Sequence, residues 1–330
     1  MGTCRQPFPS RRGGALLAVL WLTACLSAIA FAVANTVRSE TERTSTSLDG
    51  TRAYYLATGA IERGMLYLLW GLQNTLRQGG SRYYWPGASV IPMQFPSGEA
   101  VVEFIPETAK LSINDAPPEE LLRVLVNLGT DPDRARDIVM AILDWRKPSA
   151  DGGLSPFDSF YLSLQPSFRA RHSSIEEIEE LLLVRGMTPE LFYGTYDRDP
   201  QGRLAPRGGF RDCVSVFGGR NRIDVNSVHP AVLGAIGLAA NEVQGLIAMR
   251  TASPIQNLEQ LRVFGSGPGW DRLGVGGNTI FTLRATARLR LSNGQLSDLR
   301  RMVAAMVKVM PANPESPLHI LRWYDNAWSN

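Results

Sequence analysis

The chain has 330 residues, 44% hydrophobic and 20% charged, with a net charge of +3. That apolar share is enough for a packed core and excludes a disordered chain, and the small charge without a Lys/Arg block gives no nucleic-acid footprint. Of three cysteines, Cys4, Cys25 and Cys213, only Cys213 is expected in a folded soluble part, so a disulfide framework is excluded.

From Gly13 to Val37 no residue is charged. Ala15 to Ala34, as a helix, spans about 30 Å, the thickness of a bilayer core. Arg5, Arg11 and Arg12 precede it, so the positive-inside rule keeps the N-terminus cytoplasmic and exports everything after Arg38. A cleaved signal peptide is the competing reading. Ala32-Val33-Ala34 fits a cleavage pattern, but the run exceeds the usual h-region of about 7–15 residues. After the polar stretch Arg38–Arg52 comes an apolar stripe: Ala53, Leu56, Ala57, Ala60, Ile61, Met65, Leu68, Leu69, Leu72 and Leu76. Spacing by three and four marks one face of a helix. Gly50, Gly59, Gly64 and Gly71 lower its propensity without breaking it. The segment predicts one long helix, apolar all round and then amphipathic, ending near Gly79-Gly80.

The stretch 81–98, rich in Pro, Gly and aromatics, reads as loop, and Glu99–Ile105 as a strand. Helical segments follow, with an internal repeat. Asn114-Asp115-Ala116-Pro117-Pro118-Glu119-Glu120-Leu121 aligns without a gap on Asn226-Ser227-Val228-His229-Pro230-Ala231-Val232-Leu233. In each copy Asn opens a turn and Pro sits at the first helical position, where its missing N–H costs nothing. A glycine, Gly129 or Gly237, leads into a second helix, Pro132–Arg146 or Ala239–Arg250. A short helix ending in glycine closes each copy, at Ile175–Gly186 and Ile255–Gly265. The two units resemble helix-hairpin-helix modules of the SAM-like kind.

Such modules often hold DNA phosphate on a Gly-x-Gly hairpin. Here Leu128-Gly129-Thr130 and Gly237-Leu238-Ala239 each lack the second glycine. Gly265-Ser266-Gly267 has the spacing but runs into Pro268-Gly269, read as non-helical. The first module is acidic, with Asp115, Glu119, Glu120, Asp131, Asp133 and Asp137. Structural packing is therefore preferred, and an exported DNA-binding module is the alternative.

Phe281, Leu283, Ala285, Ala287, Leu289 and Leu291 alternate with Thr282, Arg284, Thr286, Arg288 and Arg290, the period of a strand with one buried face. The arginine face reads as solvated. Asn293-Gly294 is a hairpin signal, and Leu299–Met310 and Leu318–Trp323 supply further strands. This meander is expected to pack on the amphipathic half of the long helix and bury Leu56, Ile61 and Leu68. Three histidines, His172, His229 and His319, stand outside metal-ligand spacing. His229, before Pro230, reads as a capping or surface residue. No catalytic triad, Cys/His pair, Walker loop or dinucleotide fingerprint occurs, and the chain reads as a non-enzyme.

A basic leader, a glycine, then a long apolar helix continuing into an amphipathic half resembles a type IV pilin or pseudopilin. The likeness to K-type minor pseudopilins of type II secretion extends over nearly the whole chain. It rests on Asn114-Asp115-Ala116-Pro117-Pro118-Glu119, Asp144-Trp145, Tyr161-Leu162 and the run Ile178–Leu191. The resemblance implies an α+β fold, with a pilin-like long N-terminal helix packed on an antiparallel sheet and an inserted all-α domain of two SAM-like modules. The implied domains are a prepilin-type leader at 1–14 and a transmembrane part at 15–37. The rest of the helix and the first strand take 38–105. The inserted helical domain is 106–270, with modules near 111–194 and 223–268, and the final strands are 271–330.

Cleavage is then expected between Gly14 and Ala15, with N-methylation of Ala15. The fifth mature residue, commonly Glu in the wider group, is Val19, and K-type members characteristically lack that Glu. Val19 cannot accept a charge-assisted bond from a neighbour's terminal amine. A large inserted domain would obstruct a subunit stacked above, so both features suit a filament tip. The implied partners are the I and J minor pseudopilins, the major pseudopilin, the inner-membrane secretion platform and the prepilin peptidase, with no nucleic acid. The implied location is a single pass of the inner membrane with a periplasmic body. Calcium is the one candidate cofactor, on Asp144, Asp151 and Asp158. Lys147-Pro148 stands where the family tends to be acidic, so a plain solvated loop is the competing reading.

Overall fold

The structure, a computed structural model, describes residues 14–73, 89–148, 153–198, 202–219, 222–261, 265–310, 313 and 315–327. The chain divides into two compact units, Met1–Ala53 and Tyr54–Asn330. Helix α1 covers Gly14–Gln73. In the first unit it is long and apolar enough to cross a membrane. Its side chains from Leu16 to Val37 are exposed there. Beyond Arg38 the helix is polar, with exposed pairs Arg38–Glu42 and Arg43–Glu40 at 3.0 and 3.6 Å. The expected helix end near Gly79-Gly80, and Leu76, lie outside the described residues.

In the second unit α1 lays Leu56, Ala57, Ala60, Ile61 and Leu68, all buried, on a five-stranded antiparallel sheet. The strands are β1 (Val90–Phe95), β2 (Gly98–Pro106), β9 (Ile280–Arg290), β10 (Leu296–Val309) and β11 (Leu318–Tyr324), in the order β1-β2-β9-β10-β11. In the β2–β9 pair, Ala100, Val102 and Phe104 face Ala287, Ala285 and Leu283. The alternation of β9 is as expected, with Phe281, Leu283, Ala285, Ala287 and Leu289 buried. Leu291 is exposed and lies in the turn, where Leu291 N–H donates to Gln295 O at 2.8 Å and Gly294 has a φ of 81°. On the arginine face of β9, Arg284 and Arg288 are half-buried and Arg290 is exposed, and charges are met across the strands. Arg284 pairs with Glu103, and Arg290 with Glu99 at 2.8 Å.

β2 and β9 are neighbours although the chain from 107 to 279 runs between them. That stretch folds around one core that includes Leu121, Leu125, Ile138, Ile142, Tyr161, Phe192, Phe210 and Leu233. Its first part holds β3 (Leu111–Ser112), α2 (Pro118–Asn127), α3 (Pro132–Trp145), α4 (Asp158–Leu162), α5 (Pro189–Tyr193), β4 (Gly194–Arg198), β5 (Leu204–Gly208) and β6 (Val214–Ser215). The second holds β7 (Ile223–Asp224), α6 (Pro230–Ala235), α7 (Ala240–Ala252), α8 (Pro268–Asp271) and β8 (Leu273–Gly274). Prolines open α2, α3 and α6 as expected. Gly129 and Gly237 make the hairpin turns at φ 87° and 110°, a region that a side chain resists.

Three local readings are corrected. Residues 90–95, read as loop, form β1. The closing helices of the repeat are 3-10 turns, at Ile178–Leu183 and Leu258–Leu261. Pro268-Gly269, read as non-helical, opens the short helix α8, with Pro268 where a helix tolerates it. β4 and β5 pair antiparallel, an element not assigned from the sequence.

Candidate functional site

The repeat is built on a shared clasp. In the first copy Asn114 Nδ2 donates to Ile175 O at 2.9 Å and Asn114 Oδ1 accepts from Ile175 N–H at 2.8 Å. In the second copy Asn226 does the same with Ile255, at 2.9 and 2.8 Å. Each loop is held again from the second helix. Arg146 donates to Ile113 O and Ala116 O at 2.6 and 2.9 Å, and Arg250 to Val225 O and Val228 O at 3.0 and 2.7 Å. Burial pulls both guanidinium pKa values down, opposed by Asp115 and Asp224 respectively.

The backbone repeats too. Leu111 and Ile113 donate to Cys213 O and Ser215 O at 2.9 and 3.0 Å, in the parallel pair β3–β6. Ile223 and Val225 donate to Arg272 O and Gly274 O, both at 2.9 Å, in β7–β8. The copies are joined by Asn127 Nδ2, which donates to Ala231 O at 3.0 Å, and by an ion pair between Glu120 and Arg272. The asparagines were legible as repeat positions. The arginines also close the second helix in both copies, a signal that was present but not used.

His229 is the N-cap of α6, within the capping or surface reading. Its Nδ1 accepts from Ala231 N–H at 3.2 Å, and the Cys213 thiol lies 3.3 Å from the same nitrogen. Cys213 is buried and free, and burial pushes its thiol pKa up. Burial, with Arg250 and Lys110 nearby, pulls the His229 pKa below its ordinary value, and the opposing Asp212 is outweighed. The unfolded chain therefore takes up a proton on His229 before the folded chain does. Stability from this residue is complete above about pH 6.5 and falls as pH drops through the lower folded pKa. His229→Asn keeps a cap acceptor without the titration. Relative to the parent chain it should lose less stability between about pH 6.5 and pH 5, as read from melting curves at both pH values.

The acidic loop after α3 brings Asp144 and Asp158 together through Ser155 and His172. Ser155 Oγ donates to Asp144 Oδ2 at 2.8 Å, and Ser155 N–H donates to Asp158 Oδ2 at 2.9 Å. Asp158 is fully buried and also accepts from Ala170 N–H at 3.3 Å. His172 Nδ1 lies 3.1 Å from Asp144 O and its Nε2 lies 3.1 Å from Asp158 Oδ2. Burial works against the Asp158 charge, but the Ser155 N–H, His172 and the Ala170 N–H outweigh it and hold its pKa low. Burial likewise opposes a charged His172, but Asp158 and the Asp144 carbonyl outweigh it and raise its pKa. Calcium needs about six to eight oxygen ligands. Among the described residues no group of three or more His, Cys, Asp or Glu could hold a metal. The described donors do not fit a dication, since the oxygens of Asp158 are already taken by protein donors. Asp151 lies outside the described residues. Sequence spacing gave no hint of His172.

A cleft of about 330 Å³ lies between the sheet and the helical region, lined by Glu107, Lys110, Tyr193, Arg211, Thr282 and Tyr324 among others. Thr282 Oγ1 donates to Glu107 Oε1 at 2.6 Å, Lys110 lies 3.1 Å from Glu107, and Arg211 sits 4.8 Å over the Tyr193 ring. These groups satisfy one another and tie sheet to helices. At the other end of the chain, Gly14 begins α1, and Ala15 and Val19 follow on its exposed first turns. Arg5, Arg11 and Arg12 lie outside the described residues.

Residues 104–194 match the family described as Type II secretion system (T2SS), protein K. A type II secretion system protein K of Klebsiella pneumoniae is 25% identical over 199 residues, covering 55% of this chain and 60% of that protein. Its counterpart in Pectobacterium carotovorum subsp. carotovorum is 27% identical over 205 residues, with the same 55% and 60% coverage. The chain thus spans about 60% of the length of these relatives. The fold is similar to a chain in the crystal structure of the GspK-GspI-GspJ complex from the enterotoxigenic Escherichia coli type 2 secretion system. The TM-score is 0.55 at 16% identity, over 87% of this chain and 100% of that one.

Proposed function

We propose that this chain, which belongs to the type II secretion system protein K family, is a minor pseudopilin at the tip of the secretion pseudopilus. It starts assembly of the filament and supports export of folded proteins. The carrying observation is the match at 104–194, which starts in β2 and runs into the helical stretch before β9, on a chain whose first helix is long and apolar enough to cross a membrane. Val19 supports the tip position. An apolar residue there offers a neighbouring subunit's amine no charge-assisted partner. The partners are minor pseudopilins of the I and J types, the pair present in the complex whose chain shares this fold. The anchor crosses the inner membrane once, with its N-terminus cytoplasmic and its body periplasmic, as the leader arginines favour.

In this reading 1–14 is the leader, 15–37 the span, 38–105 and 271–330 the pilin-like body and 106–270 the inserted helical domain. Prepilin peptidase cuts between Gly14 and Ala15, and Ala15 is then N-methylated. N-terminal sequencing and mass measurement of the membrane-extracted chain test this. The expected start is methylated Ala15. A start at Asn35 means a discarded signal peptide and sinks the reading.

A further inference from the structure

Asp144 and Asp158 each face a different ring nitrogen of His172, and a carboxylate as buried as Asp158 is costly unless protein donors satisfy it. The chain supplies those donors. Both ring nitrogens of His172 face acceptors, the Asp144 carbonyl at 3.1 Å and the Asp158 carboxylate at 3.1 and 3.2 Å. Both ring nitrogens are thus taken up within the loop, and the Asp158 oxygens are covered further by Ser155 N–H and Ala170 N–H. The Asp144 carboxylate is 3.9 Å from the same ring, and the Arg169 guanidinium is 3.8 Å from Asp158 on the solvent side. His172 is also the one described non-glycine residue with a positive φ, 48°. That strained conformation persists only where surrounding contacts fix it, as these do.

The loop is pinned below by packing rather than by further oxygens. Trp145 meets the Tyr161 ring edge-on at 5.5 Å, Phe168 stacks on Tyr161 at 5.3 Å, and Tyr161 Oη accepts from Arg185 N–H at 3.2 Å. Ser173 N–H donates to Trp145 O at 3.1 Å, which closes the chain back onto the end of α3.

We propose that His172, assisted by Arg169, closes this loop in the place an added cation would take, so that Asp144 and Asp158 hold no divalent ion. An added dication would have to displace His172 from both of its acceptors and break the Ser155 N–H and Ala170 N–H bonds to Asp158. The inference is independent of the secretion assignment, and its test does not read secretion.

The test uses the full chain in detergent. Melting curves recorded in EDTA and in excess calcium chloride should coincide. Calorimetric titration with calcium chloride should show no saturable site tighter than about 1 mM, the weak end of protein calcium sites. A calcium-dependent rise in Tm that saturates, or a tighter site in the titration, overturns the proposal. His172→Ala should lower Tm in EDTA. A variant that melts with the parent chain in EDTA overturns the closing role. If it does not fold, the calcium titration of the parent chain still decides whether the loop takes a dication.

Discussion

Arg250→Ala should lower the unfolding free energy by about 3 kcal/mol, since orphaning a buried carbonyl costs roughly 1–3 kcal/mol and this change orphans two. Val225 O and Val228 O both accept from Arg250 Nη1, at 3.0 and 2.7 Å. One planar Nη1 amino group thus serves two carbonyls of one loop. Arg250→Lys should recover only part of the loss. A lysine is a point charge on a flexible stem and is not pre-organised for two acceptors. Arg146→Ala should behave alike in the first copy, through Ile113 O and Ala116 O. Denaturant unfolding of the full chain in detergent measures both. Changes under about 0.5 kcal/mol, the size of an ordinary surface substitution, would mean that the clasps carry no load.

The clasps show where sequence reading stops. The repeat was legible because Asn and Pro recur at one spacing and each marks a backbone event, a turn and a helix start. An arginine in the last turn of a helix reads as a complement to the helix dipole. Its actual acceptors lie some thirty residues back in the chain for Arg146, a separation with no period to reveal it. His172 is a stronger case. It reaches Asp158 and the Asp144 carbonyl across 14 and 28 positions of chain. β1 was lost for a different reason. Pro92 breaks the run Val90–Phe95, and proline argues against a central strand. β1 is an edge strand, however, where one side of the backbone has no ladder to join. The α+β class itself was legible, because period two in β9 and period three-to-four in α1 each expose a single buried face.

α1 against the sheet gives the second large effect. Leu68→Ala should cost about 2–5 kcal/mol, the range for a fully buried leucine. Leu68 has no exposed surface, and Leu56 and Ile61 are buried on the same face. Gly64 sharpens the test, because in the sequence it counted only as a weak helix former. A Cβ there would stand 3.3 Å from Val102 Cγ1, 3.5 Å from Phe104 Cζ and 3.8 Å from Leu283 Cδ1. Gly64→Ala gains about 1 kcal/mol of helix propensity and spends it against Val102, whose branched side chain has few rotamers to retreat into. The net change should be near zero. Gly64→Leu has no such room, and overpacking should cost about 1–3 kcal/mol. The ordering separates packing from propensity, since leucine is by far the better helix former of the two residues exchanged. If Gly64→Leu stabilises the chain in denaturant unfolding, propensity governs this position, and α1 does not seat on Val102 and Phe104.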